Sequence, residues 1–197
     1  MIRIGLAGTP GSGKTTLARL LASKLSLEPN VGHVELIPEY ARRYIGKYGD
    51  AGTFNDQIRI LQKQLEWEDS VPDAELIITD SPVFFGFCYT LQSEVKSKKE
   101  LVFKTDLYKM LLRANFPARY DAVFLLNNVV KPKKDGVRPD YQFDDEWRSW
   151  FYNQMKFTFE FMFPPKFLFE VESSDIDERC SFCLDKVKQI IYEKPPL

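Results

Sequence analysis

Gly8-Thr9-Pro10-Gly11-Ser12-Gly13-Lys14-Thr15 decides the fold. The stretch satisfies G-x-x-x-x-G-K-[ST] at every fixed position. On its N-terminal side, Ile2 to Ala7 is a short apolar run ending in glycine, which reads as a buried strand. On its C-terminal side, Lys14 to Ser26 sets Leu17, Leu20, Leu21 and Leu25 at helical spacing. A strand, a glycine-rich turn and a helix in that order form a cradle for phosphate. The glycines let backbone N–H groups curl around phosphate oxygens, and the helix N-terminus adds partial positive charge. Gly8, Thr9, Pro10, Gly11, Ser12, Gly13, Lys14, Thr15 and Thr16 are the expected nucleotide-binding residues. Lys14 is expected to neutralise the β- and γ-phosphates and the Thr15 hydroxyl to ligate Mg²⁺, so ATP and Mg²⁺ are the expected cofactors.

Outward from the cradle, strands and helices alternate. Pro29 and Gly32 mark a turn, and His33 to Ile37 reads as a second strand stopped by Pro38. Glu39 to Tyr44 reads as one or two helical turns, and Gly46 to Gly52 as a loop. Thr53 is a good N-cap, with Asp56 where a capping box places an acid, and a helix follows to about Ser70 through Ile58, Leu61, Leu65 and Glu68. Leu76 to Thr79 is a third strand ending at Asp80. Helices are expected over Val83–Gln92 and Leu101–Asn115, separated by an exposed charged stretch, Ser93–Glu100.

Ala122 to Leu126 is a fourth strand, and Asn127 to Phe143 a long polar loop of the kind that serves as a lid. In Asp144 to Met162 the phenylalanines alternate as in a strand. Trp147, Trp150, Phe151, Gln154, Phe157 and Phe161 instead keep helical spacing, and the length favours the helix, stopped by Pro164 and Pro165. Phe167 to Val171 is a fifth strand and Asp177 to Tyr192 a closing helix. This alternation predicts an α/β fold, a five-stranded parallel sheet sandwiched by helices, with ligands at the carboxyl ends of the strands. Residues 1–197 are expected to form one domain, with a lid loop at about 127–143.

Glu39 leaves the second strand and Asp80 the third, two acids beside the cradle. One can hold Mg²⁺ through water while the other accepts the proton of an attacking hydroxyl. Asp80, nearer Thr15, is expected to serve the metal first, and Glu39 to face the acceptor with Arg42 and Arg43. Arg138, inside Asp135-Gly136-Val137-Arg138-Pro139-Asp140, is expected to close over the γ-phosphate. The expected catalytic set is Lys14, Glu39, Asp80 and Arg138.

Composition narrows the classes. With 27 Lys+Arg against 28 Asp+Glu, the net charge of -1 argues against coating nucleic acid by bulk charge. Aromatic content of 14% argues against disorder. No apolar stretch reaches the length of a membrane span, and the N-terminus runs straight into the cradle strand with no room for a signal peptide. Cys88, Cys180 and Cys183 then read as free thiols of a cytoplasmic protein. No second cysteine pair or nearby histidine completes a zinc site with Cys180 and Cys183, and the lone His33 gives histidine catalysis little support.

The cradle, Pro38-Glu39-Tyr40-Ala41-Arg42-Arg43-Tyr44, the Thr79-Asp80 strand end, Tyr120-Asp121-Ala122-Val123-Phe124-Leu125-Leu126 and the Asp135-Gly136-x-Arg138 loop follow one another in that order. Over residues 1–192 the chain resembles the ribosylnicotinamide-kinase-like P-loop family, the kinase domain of the bacterial nicotinamide nucleotide regulator proteins. The resemblance implies a nucleoside and nucleotide kinase fold and transfer of phosphate from ATP to a ribose hydroxyl. It puts Glu39 and Arg42 at the acceptor, Asp80 at the metal or acceptor, and Arg138 at the γ-phosphate. The adenylyltransferase domain of the two-domain regulators has no counterpart in this sequence.

Other readings stay open. A guanine-nucleotide switch would need N-K-x-D and D-x-x-G, and Asn127-Asn128-Val129-Val130 and Asp80-Ser81-Pro82-Val83 fail both. A regulatory ATPase would lack a small acceptor. A kinase of a hydroxymethylated base, in a nucleotide or within DNA, could use the Lys96–Lys99 and Lys131–Lys134 clusters with stacking aromatics. A small nucleoside-like acceptor is the expected partner, with nucleic acid as the alternative.

Overall fold

The computed structural model describes residues 1–49, 51, 53–83, 85–89, 109, 118–162 and 167–193. The expected helix over Leu101–Asn115, apart from residue 109, the charged stretch Ser93–Glu100 with its lysine cluster, and the Pro164-Pro165 stop lie outside them. In chain order the elements are β1 (Ile2–Gly8), α1 (Lys14–Leu25), β2 (Val34–Ile37), α2 (Tyr40–Tyr48), α3 (Phe54–Asp69) and β3 (Leu76–Asp80). Then come β4 (Ala122–Leu126), a 3₁₀ turn (Asp140–Phe143), α4 (Asp145–Met162), β5 (Leu168–Val171) and α5 (Ile176–Glu193). Residues 85–89 are also helical.

The five strands form one parallel sheet in the order β2-β3-β1-β4-β5. The three central strands are apolar runs because both of their faces are covered. Ile4, Leu6 and Phe124 face α1 and α5, joining Leu17, Leu21, Cys180 and Val187. Ala7, Val123 and Leu125 point the other way, onto Leu61 of α3, Phe85 and Phe87, and Phe151, Met155 and Phe159 of α4. Each fully buried Leu, Val or Phe on these faces contributes about 1.5–3 kcal/mol. Residues 157–161 therefore belong to a helix, whose one face carries Phe151, Met155 and Phe159 into the core.

One boundary differs from the sequence reading by a full turn. Gly46 lies inside α2, and the helix runs on to Tyr48 before Gly49 ends it in the left-handed region, φ 82°. Tyr44 turns inward, and its hydroxyl donates to Asp56 Oδ1 at 2.7 Å, so α3 carries the extra turn of α2. The capping box at Thr53 forms as expected: Asp56 N–H donates to Thr53 Oγ1 at 3.2 Å and Thr53 N–H to Asp56 Oδ2 at 3.1 Å. Glu68 holds an apolar-face position of α3 because it is paired: Arg119 Nε donates at 2.8 Å and the Tyr120 hydroxyl at 2.9 Å. That hydroxyl also accepts the Val83 N–H at 2.9 Å, which fixes the chain just beyond Asp80.

Candidate phosphate and acceptor site

All five strands point their carboxyl ends to one edge of the sheet, and the loops there hold the candidate site. Between β1 and α1 the loop Thr9–Gly13 curls back on itself, with Ser12 N–H on Thr9 O at 3.2 Å. Gly13 sits at φ 92°, which only glycine adopts freely, and caps α1 without a side-chain bond, so the first turn keeps its N–H groups open. Gly11, at φ 74°, has no room for a side chain: a Cβ there would lie 2.6 Å from Pro132 Cβ. Lys14 is buried, with Nζ on Gly8 O at 2.7 Å and Thr9 O at 3.0 Å, and 5.4 Å from the centre of the Phe85 ring. Loss of water pulls its pKa down to about 8, against the opposing pull of Glu39 and Asp80. A buried ammonium held only by carbonyls is poised for anionic oxygens. Thr16 is exposed on the first turn of α1.

Thr15 Oγ1 donates to Asp80 Oδ2 at 2.5 Å. The other carboxylate oxygen, Asp80 Oδ1, is buried with no hydrogen-bond partner. Burial raises the Asp80 pKa first, Glu39 raises it further, and Lys14 opposes both. A hydroxyl and a carboxylate with a vacant buried oxygen make a hard oxygen donor set, and it fits Mg²⁺. Next in the chain, Ser81 is held at φ 70°, a left-handed conformation that costs a non-glycine residue about 1–2 kcal/mol. Beyond this residue, the Phe85 ring lies beside Lys14.

Glu39 stands just past β2 with its side chain turned away from solvent. Arg138 Nη2 donates to Glu39 Oε1, and Arg138 Nη1 reaches Asp135 Oδ2 at 2.6 Å. Asp135 in turn accepts the Val137 and Arg138 backbone N–H groups, each at 3.0 Å, and lies 3.4 Å from Arg42 Nη2. Burial alone would raise the Glu39 pKa, but Arg138, Lys14 and Arg42 together hold it below the ordinary value. Beside Glu39 opens a pocket lined by Gln57, Gln64, Pro82, Val83, Phe85 and Tyr89 among others. Gln57 and Gln64 are tied to backbone carbonyls, Gln57 Nε2 to Ala51 O at 2.6 Å and Gln64 Nε2 to Pro38 O at 3.3 Å.

The structure thus brings Lys14, Thr15, Glu39, Arg42, Asp80 and Arg138 together. It leaves Arg43 outside: that side chain is exposed and lies over the Trp67 ring, 5.8 Å from its centre. Arg138, expected over the γ-phosphate, is in this structure a buried partner of Glu39, reaching it from the loop after β4. Sequence reasoning passed over Asn127, Asn128, Gln57 and Arg179. Thr9 Oγ1 donates to Asn128 Oδ1 at 2.5 Å, and Asn128 Nδ2 to Arg148 O at 2.8 Å. The only signal available was position, since the asparagine pair directly follows β4 at the ligand edge.

Among the described residues, no helix is long and apolar enough to cross a membrane, and no cluster of three His, Cys, Asp or Glu could hold a metal by itself. Cys88, Cys180 and Cys183 are free and buried, and burial pushes the Cys88 thiol up to about 12.

The family described as AAA domain matches residues 3–178. No curated protein sequence matches the chain. Among solved structures, the NadR protein in complex with NR aligns at a TM-score of 0.73 and 17% identity, covering 100% of this chain and 53% of that one. Deoxyadenosine kinase from M. mycoides with its products aligns at 0.67 and 19% identity, covering 96% of this chain and 100% of the other. Thymidylate kinase from Candida albicans aligns at 0.60 and 17% identity, over 95% and 91%. These likenesses show the shared fold, that of the P-loop nucleoside and nucleotide kinases.

Proposed function

Because the chain belongs to the AAA domain family of P-loop proteins, we propose that it is an ATP-dependent phosphotransferase whose acceptor is a hydroxyl on a small nucleoside- or nucleotide-like molecule. One observation carries the reading. Two buried acids leave adjacent parallel strands on the cradle side, one bonded to the Walker threonine and the other facing a pocket. A protein that only binds ATP has no need of the second acid, and one that only hydrolyses it can use that acid on water but has no need of the pocket beside it.

In the proposed mechanism Lys14 and the open N–H groups of α1 hold the phosphates of ATP. Thr15 and Asp80 would hold Mg²⁺, which supplies charge neutralisation on the phosphate oxygens when bound. The acceptor lies in the pocket between α3 and residues 85–89, with Phe85 and Tyr89 offering apolar faces to a flat ring. Its hydroxyl oxygen attacks the γ-phosphorus, the bond to the β-phosphate oxygen breaks, ADP leaves, and the hydroxyl proton passes to the Glu39 carboxylate. Arg138 releases Glu39 as it turns to the charge developing on the transferring group. Residence in the cytoplasm is part of the reading, and the free thiols suit it.

Among the described residues the pocket is lined by amide, aromatic and aliphatic side chains around Glu39, with no Lys or Arg for a phosphate backbone, which favours a small acceptor over a polynucleotide. ATP consumption with a panel of nucleosides, nucleotides and duplex DNA bearing hydroxymethylated bases tests this. We expect stimulation by a nucleoside or nucleotide. Stimulation by the modified DNA alone, or slow hydrolysis that no acceptor stimulates, would overturn it. Lys14→Ala should lower the stimulated rate at least ~10²-fold, the scale of losing preorganised electrostatic stabilisation.

A further inference from the structure

Arg179 is a buried cation to which neither the cradle motif nor the proposed transfer assigns a task. It lies in the first turn of α5 and is 1% exposed. Its guanidinium donates to three neutral oxygens: Ser12 O at 2.6 Å through Nη1, Asn127 Oδ1 at 3.0 Å through Nη2, and Ser173 O through Nε. These oxygens belong to the loops that follow β1, β4 and β5. We propose that Arg179 is a positioning residue for the nucleotide phosphates, acting through the Ser12–Gly13 peptide.

The geometry follows from peptide planarity. In a trans peptide the C=O and the next N–H point to opposite sides. Arg179 holds the Ser12 carbonyl on the α5 side, so the Gly13 N–H of the same peptide is aimed the other way, into the cradle. Gly13 needs φ 92° for this, and a Cβ there would sit 3.6 Å from Arg179 Nη1. The other limb of the loop is fixed separately, since Asn128 takes the Thr9 hydroxyl while Arg148 O holds the Asn128 amide. Asn128 thus grips one limb of the cradle directly, and Asn127 reaches the other only through Arg179.

The charge of Arg179 points the same way. A buried guanidinium is ordinarily matched by a carboxylate, because desolvating an unpaired cation is costly. Among the described residues this one meets only neutral oxygens, and burial holds its pKa below the ordinary value. An anion in the cradle, one peptide away, supplies the missing counter-charge. A di- or triphosphate gains from this, and a monophosphate gains little, because the N–H groups of such a loop cradle the α- and β-phosphates together.

The inference rests on the cradle reading, and the test separates the two. Calorimetric titration with ADP and with AMP, both with Mg²⁺, is run on the wild type, Arg179→Met, Arg179→Lys and Asn127→Ala, with melting temperatures alongside. Arg179→Met should weaken ADP about tenfold or more, the size of one charge-assisted hydrogen bond, and leave AMP within about twofold. Arg179→Lys keeps the charge but cannot span three acceptors, and should recover part of the ADP affinity. If Arg179→Met does not fold, Asn127→Ala gives the reading: about a threefold ADP loss, since water can replace one neutral contact, with AMP unchanged. Equal losses for ADP and AMP, or no ADP loss in variants that fold, would overturn the positioning role and leave the cradle standing. A wild type that binds neither nucleotide would overturn the cradle reading and the role of Arg179 with it.

Discussion

Arg138 and Glu39, separated by 99 positions in the chain, form an ion pair with side chains only 4% and 8% exposed. The pair joins the loop after β4 to the end of β2, and through Asp135 it also engages Arg42. The loop therefore starts anchored to the acid that the proposed mechanism must free.

Breaking this pair should change stability in a pH-dependent way. Removing one partner of a buried pair costs about 3–5 kcal/mol, because the other charge is left uncompensated. The Glu39 pKa lies below its ordinary value of 4.5. Below that value the unfolded chain binds the proton first, so the contribution of Glu39 is present above pH 4.5 and lost as pH falls through its folded pKa. Urea denaturation of the wild type and Arg138→Met at pH 7 and pH 4 should show a gap that narrows on acidification. A gap of equal size at both values would mean the pair contributes packing alone. Asp80, shifted upward, acts oppositely but is common to both proteins.

Anchoring through Arg138 also sets where the loop can be cut. Lys133 and Lys134 are exposed, while Asp135 and Arg138 are held. Limited trypsin digestion should cut after Lys133 or Lys134, faster in Arg138→Met, and a non-hydrolysable ATP analogue should slow it in the wild type. Identical rates in both proteins, with and without the analogue, would remove the anchored lid.

The pH dependence of nucleotide affinity reports on Lys14. Its folded pKa of about 8 means that the ammonium loses its proton between neutral pH and pH 9 when the cradle is empty. Only the charged form attracts phosphate, so each unit above about 8 should weaken ADP binding by up to about tenfold. The same titration on Lys14→Met should be weak and nearly flat. A wild-type affinity unchanged from pH 7 to pH 9 would show that Lys14 stays fully charged.

The cradle, the succession of strands and helices and the positions of the two acids at strand ends were legible because each rests on local pattern: a fixed motif, apolar runs, and acids directly after strands. The helical state of Asp145–Met162 was legible too, since core contacts recur at Phe151, Met155 and Phe159. What escaped the sequence was tertiary. Gly46 reads as a loop residue, yet α2 continues through it because Tyr44 and Asp56 meet across two helices. Arg138 reads as a lid arginine for the γ-phosphate, and its partner Glu39 stands outside any local window. Arg179 sits beside Cys180 in a helix whose visible pattern is amphipathic, with nothing in that pattern to tie it to Ser12.

The capping box at Thr53 should carry measurable stability, since α3 supplies Leu61 to the core and Gln57 and Gln64 to the pocket. Thr53→Ala removes the acceptor of the Asp56 N–H and should cost ~1 kcal/mol by chemical denaturation. Thr53→Ser, which keeps the oxygen, should stay close to wild type. An equal loss in both would place the effect in the methyl group.

The last prediction separates the two acids. Asp80 bonds Thr15 and keeps a buried oxygen open, so it is placed to serve Mg²⁺. Glu39 opens on the pocket and has its charge balanced by Arg138, so it is placed to meet the acceptor. A carboxylate held below its ordinary pKa is a weak base, and phosphoryl transfer depends mostly on positioning and charge, so Glu39 need not dominate the rate. Glu39→Gln should lower acceptor-stimulated turnover about 10²-fold, within the range for general base catalysis, and leave ATP affinity and the Mg²⁺ requirement near wild type. Asp80→Asn keeps the shape but loses the charge, and should raise the Mg²⁺ concentration for half-maximal rate by about tenfold. Titrating Mg²⁺ against turnover for both variants decides between them. A shifted metal requirement in Glu39→Gln with an unshifted one in Asp80→Asn would exchange the two roles.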